Sequence, residues 1–146
     1  MVKPMNVGTV SERVEPVPHA RPVSVPGLRA RNVLIVEDEA IIAMDMEFAV
    51  LDAGARCVEV APDNRTALRL IDEIAPDVVL LDYRLADGDS EPTARRAREA
   101  GIPVVFHSGH AQREALEKSY PDAVILPKPS ALGLILRTLA EVCAER

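Results

Sequence analysis

Three short apolar runs in this chain end abruptly in charge. Val33-Leu34-Ile35-Val36 meets Glu37-Asp38-Glu39, Asp77-Val78-Val79-Leu80-Leu81 meets Asp82, and Ala123-Val124-Ile125-Leu126 meets Pro127-Lys128-Pro129. Such runs read as strands. In a parallel α/β sheet the chain leaves each strand at its carboxyl end, and ligands bind in the crevice outside those ends, where the winding reverses. Glu37, Asp38, Asp82 and Lys128 are therefore expected to converge at one rim. Carboxylates gathered there repel one another: at ~4 Å and an effective dielectric of ~20, one like-charge pair costs ~4 kcal/mol. A hard divalent cation relieves that repulsion, and an all-oxygen site that retains waters suits Mg²⁺. An aspartate, a metal and a lysine together make a phosphate site.

The rest of the chain supports an α/β reading. From Asn32 onward apolar strand patterns alternate with helical ones. Strands are expected at 32–37, 56–61, 77–82, 103–107 and 123–126. Helices are expected at 40–53, 63–74, 91–100, 111–118 and from Ser130 to about 144. Gly54 and Gly101 stop the first and third helices, Asp63 and Ser130 cap the second and fifth, and Pro76 ends the second. Residues 83–90, with Asp87-Gly88-Asp89-Ser90, read as a loop of turn formers. Five βα units favour a parallel sheet wrapped by helices on both faces.

Residues 1–31 read as a separate proline-rich, disordered tail, because Pro4, Pro16, Pro18, Pro22 and Pro26 interrupt any helix. The domain is expected over 32–146. Its 115 residues carry twelve Lys/Arg against twenty-one Asp/Glu, a net −9, which argues against nucleic acid as a direct partner. The two cysteines, Cys57 and Cys143, have no metal-ligand spacing and read as reduced core residues. No run is long enough to span a membrane, and the N-terminus has no apolar signal core, so the cytoplasm is the expected location.

At the rim, Asp82 is the expected nucleophile, since a strand end fixes its backbone and aspartate forms acyl-phosphates. Asp38 should bind Mg²⁺ directly and Glu37 through water, with the backbone carbonyl of Arg84 as a further ligand. Glu39 reads as an acid favoured at a helix start. Ser108, after Phe106-His107, could donate to a phosphoryl oxygen, and Lys128 could pair with another. His107 and His110 adjoin the site but lack a base or metal partner at a recognisable spacing, and read as loop residues.

Residues 32–145 resemble a response-regulator receiver domain of two-component signalling. The matching pieces are Val33–Asp38 with its acidic pair, Val79–Asp82, Ser108 after the fourth strand, and Lys128-Pro129 after the fifth. The resemblance implies a flavodoxin-like five-stranded sheet in order 2-1-3-4-5. It also implies Mg²⁺-dependent phosphorylation of Asp82 by a histidine kinase or a histidine phosphotransfer protein, and a cis Lys128-Pro129 bond. Two departures stand out. Many receivers have an aromatic residue three positions before the lysine, where this chain has Ile125. Pro103, Phe106, Ser108 in place of threonine, and Gly109 match part of the "FAT GUY" motif of an alphaproteobacterial subgroup.

The expected function is that of a stand-alone receiver, a non-enzymatic signalling domain acting by protein contact or relay, because the chain stops just past the fifth helix. A haloacid-dehalogenase-type phosphatase is the alternative, though Asp38 is followed two residues on by Ala40 rather than a second aspartate. A non-phosphorylated interaction module is the third reading. The first helix carries two apolar stripes, Ile42, Met46, Ala49, Val50 and Ala53 on one side, and Ile41, Met44, Phe48 and Leu51 on another. Only one can face the sheet, which leaves the other for a partner or for cover by the tail or a neighbouring helix; the receiver resemblance implies that the Ile41 and Phe48 side meets the phosphodonor.

Overall fold

Each apolar run forms a strand in the computed structural model, which describes Val2 and residues 24–146. The main elements are β1 (Asn32–Val36), α1 (Ala40–Asp52), β2 (Cys57–Ala61), α2 (Asn64–Ile74), β3 (Val78–Asp82), α3 (Glu91–Glu99), β4 (Val104–Ser108), α4 (His110–Ser119), β5 (Val124–Pro127) and α5 (Leu132–Ala144). The five strands are parallel, in the order β2-β1-β3-β4-β5. This is the flavodoxin-like order expected from the sequence. The strand β1 pairs with both β2 and β3, in register Leu34↔Glu59 and Leu34↔Val79. The winding therefore reverses there, and the carboxyl ends of β1 and β3 stand side by side.

Side-chain alternation divides the core into two layers. Val33, Ile35, Val78, Leu80 and Val105 pack with Met46 and Val50 of α1 and with Ile135 and Leu139 of α5. Leu34, Val36, Val79, Leu81 and Phe106 pack with Leu70 of α2, Ala94 of α3 and Leu116 of α4. All five residues of β3 are buried, as a central strand covered by helices on both faces requires.

Several local features depart from the sequence expectation. Residues 24–31 do not belong to the tail. A 3₁₀ turn at Pro26–Leu28 packs on α5, Leu28 is fully buried, and the Val25 N–H donates to the Ala53 carbonyl at 2.9 Å. Gly27 permits this approach, since a Cβ there would stand 2.7 Å from the Ala140 carbonyl oxygen. The rest of the expected tail, residues 1 and 3–23, lies outside the described residues. Within 83–90 the expected plain loop contains a small antiparallel ribbon, Arg84–Leu85 against Gly88–Asp89. Ser130 does not cap α5. Ala131 is the N-cap residue, and the Ser130 hydroxyl instead donates to the Pro127 carbonyl, closing the preceding turn. His107 is no loop residue but a buried part of β4, and His110 opens α4.

The expected Asp63 cap is present, with its carboxylate accepting from the Thr66 N–H at 2.8 Å. Cys57 and Cys143 are both free thiols, and burial pushes the Cys143 thiol up. No helix among the described residues is long and apolar enough to cross a membrane.

Candidate functional site

The carboxyl ends of β1, β3 and β5 bring Glu37, Asp82 and Lys128 into direct contact. Lys128 Nζ stands 2.8 Å from Asp82 Oδ2 and 3.1 Å from Glu37 Oε2. Backbone donors hold the other carboxylate oxygens: the Glu39 N–H reaches Glu37 Oε1 at 3.1 Å, and the Arg84 N–H reaches Asp82 Oδ1 at 3.3 Å. The lysine is anchored through its own N–H, which donates to the Ser108 carbonyl at 2.9 Å. The Lys128-Pro129 bond is cis.

Burial sets the electrostatics. The Glu37 side chain is 1% exposed, and burial raises its pKa, as does the neighbouring Asp82 charge, against the Glu39 N–H and Lys128. Burial works to lower the Lys128 ammonium's pKa, yet the hydrogen bond and charge of Asp82, helped by Glu37, hold it above its ordinary value. His107 is pushed down, first by burial and then by the Lys128 charge, so its ring favours the neutral form.

Asp38 is exposed beside this group. One carboxylate oxygen from each of Glu37, Asp38 and Asp82 can be chosen so that all three lie within 4.8 Å of one another. A cleft of about 280 Å³ opens over them, lined by Asp38, Glu39, Asp82, Tyr83, Arg84, Gln112 and Lys128. Three hard oxygen donors at one point are the chemistry that Mg²⁺ takes, with water or a backbone carbonyl completing its shell. The residues present fit that ion.

Of the residues expected from the sequence, Asp38, Asp82, Arg84 and Lys128 all line the cleft, and Glu37 lies beneath Lys128. Ser108 ends β4 with its hydroxyl buried and without a hydrogen-bond partner among the described residues, and it is not part of the cleft wall. Three residues of the wall, Glu39, Tyr83 and Gln112, were not legible as such. Glu39 read only as a helix-start acid, yet it lines the cleft and its N–H holds Glu37. Gln112 comes from the first turn of α4, where no sequence motif marks it.

Residues 33–139 match the family described as the response regulator receiver domain. The phyllosphere-induced regulator PhyR of Methylorubrum extorquens AM1 is 32% identical over 103 residues, covering 68% of this chain and 39% of that protein. The transcriptional regulatory protein PdtaR of Mycobacterium tuberculosis is 32% identical over 90 residues, covering 61% of this chain and 44% of that one. The chain thus spans less than half the length of these curated relatives. Among solved structures, a response regulator receiver protein from Sinorhizobium medicae superposes with a TM-score of 0.71 at 31% identity, covering 80% of this chain and 97% of that one. The response regulator PhyR from Brucella abortus gives 0.70 at 29% identity, covering 82% and 51%. The motif, the fold order and the carboxylate–lysine rim agree with these likenesses, and the chain belongs to the response regulator receiver-domain family of two-component signalling.

Proposed function

We propose that this chain accepts a phosphoryl group on Asp82 from a phosphohistidine of a histidine kinase or phosphotransfer protein, and then signals by protein contact or relay. One observation carries the reading: Asp82 stands at the end of β3 with one oxygen on the Arg84 N–H and the other on Lys128, beside Glu37 and Asp38. In the step, a carboxylate oxygen of Asp82 forms a bond to phosphorus as the N–P bond breaks. The departing imidazole nitrogen keeps the electron pair and takes up a proton. Glu37, Asp38, Asp82 and the Arg84 carbonyl would hold Mg²⁺, which when bound supplies positive charge against the phosphoryl oxygens. The chain's own share is positioning and charge. The backbone fixes Asp82, and Lys128 neutralises one phosphoryl oxygen. The Ser108 hydroxyl, buried and unpartnered among the described residues and outside the cleft wall, would donate to another once it is exposed to the phosphoryl group.

The donor docks on α1. Ile41, Met44 and Phe48 are 77%, 65% and 74% exposed on the helix that begins beside the cleft, an apolar stripe that supports a contact with a helical partner. The phosphatase alternative is not favoured, because the matched family is a signalling domain and Ala40 occupies the position of a second acid.

The test is incubation with acetyl phosphate and Mg²⁺, followed by intact mass spectrometry. The wild type should gain one phosphoryl group and Asp82→Asn none, with an unchanged circular dichroism spectrum. Equal labelling of the variant would remove Asp82 from the role.

A further inference from the structure

Residues 83–90 run from Asp82 to α3, so their path decides where the Arg84 backbone stands beside the acidic rim. The short ribbon is not their only restraint. Asp87, in the ribbon's turn, reaches across to α2. Its Oδ1 accepts from the Asn64 N–H at 3.1 Å and from the Asn64 Nδ2 at 3.2 Å, and its Oδ2 accepts from the Arg65 N–H at 3.4 Å. Asn64 is 7% exposed. Its Nδ2 also donates to the Asp89 carbonyl at 2.8 Å, and its Oδ1 accepts from Thr93 Oγ1 at 2.6 Å. One buried amide therefore joins the ribbon, α2 and α3.

The arrangement at α2 is unusual for a cap. The first N–H groups of an α-helix have no partner within the helix. Here the third is taken by the ordinary N-cap residue, Asp63, and the first two by a carboxylate 23 residues further along the chain. That anion also sits at the positive end of the helix dipole. Gly88, at φ +126°, lets the chain reverse directly after Asp87.

We propose that Asp87 and Asn64 form a latch that positions the cation site: by tying residues 83–90 to α2, they hold the Arg84 backbone in place beside Asp82. This rests on reading Glu37, Asp38, Asp82 and the Arg84 carbonyl as the Mg²⁺ ligands. The Arg84 N–H to Asp82 Oδ1 contact ties the same backbone to the rim. A loop ordered beforehand loses less entropy when the ion arrives, so affinity rises. Asp87 and Asn64 are positioning residues and do not line the cleft.

The experiment measures Mg²⁺ affinity by NMR titration, with amide hydrogen exchange of residues 84–90 read separately in the metal-free protein. Asp87→Ala and Asn64→Ala should each weaken Mg²⁺ binding about tenfold, the usual effect of losing groups that orient metal ligands. Both should speed exchange over 84–90. Asp87→Asn, which keeps an acceptor oxygen while losing the charge, should recover much of the affinity. Asp63→Ala removes the other cap of α2 without touching the ribbon and should leave Mg²⁺ affinity at the wild-type level. The latch is overturned if the two alanine variants bind like wild type, if Asp63→Ala weakens binding as much, or if Asp87→Asn is no better than Asp87→Ala. No Mg²⁺ binding by the wild type would overturn the cation-site reading itself, which is a distinct result from a latch variant matching a wild type that binds.

Discussion

Lys128 is the counter-charge that the two rim carboxylates Glu37 and Asp82 share. Its ammonium lies between Asp82 and Glu37, and the Glu37 side chain is almost wholly removed from water. Without it, Glu37 keeps the Glu39 N–H as its hydrogen-bond partner and faces Asp82 unshielded. Lys128→Ala is therefore expected to lower stability by about 1–3 kcal/mol, the range for stranding a buried polar group. Urea unfolding at neutral pH in the presence of EDTA measures this, and a loss under about 0.5 kcal/mol, typical of an ordinary surface site, would refute it. The placement of Asp38, Asp82 and Lys128 was legible in the sequence because strand ends are fixed points of an α/β fold. The burial of His107 was not, because the expected strand ended on it, and at a strand's last residue a single position separates a loop from the core.

At the scale of elements, α1 carries the proposed docking face for the phosphodonor. The two apolar stripes read from the sequence are distinguished by the fold. Met46 and Val50 are 3% and 1% exposed in the core, whereas Ile41, Met44 and Phe48 face outward. The two sides should respond differently to truncation. Met46→Ala is expected to cost about 2–5 kcal/mol, as for a large core side chain cut to alanine. Phe48→Ala should change stability by no more than about 0.5 kcal/mol. It should nonetheless slow phosphotransfer from a phosphohistidine protein while leaving labelling by acetyl phosphate unchanged, since a small donor needs no docking surface. Rapid-quench kinetics with both donors decides the matter, and equal slowing by both routes would remove Phe48 from the docking face. The ribbon within 83–90 was not legible because its strands are two residues each, and turn-forming composition masks pairing of that length.

Across the whole molecule, the folded unit begins earlier than its proline content suggests. Leu28 is fully buried in the layer that joins α1 and α5, and Val25 is tied to the end of α1. Leu28→Ala should therefore lower stability by about 2–5 kcal/mol. Thermal unfolding of the 146-residue chain tests it, and an unchanged transition would return residues 24–31 to the tail. The proline signal is a statement about helices, and a 3₁₀ turn led by proline escapes it. The sequence by itself determined the βα alternation, the strand order through family resemblance, and the acids and lysine at the strand ends. The alternation and the rim follow from hydrophobic periodicity and from the rule that a parallel sheet opens at its carboxyl edge, whereas the order rested on the resemblance alone. The tertiary structure alone decided that Gln112 lines the cleft, that Asp87 caps a helix 23 residues away, and that Leu28 belongs to the core. Those contacts join segments far apart in the chain, and no local pattern encodes which distant side chain will fill a given gap or satisfy a given N–H.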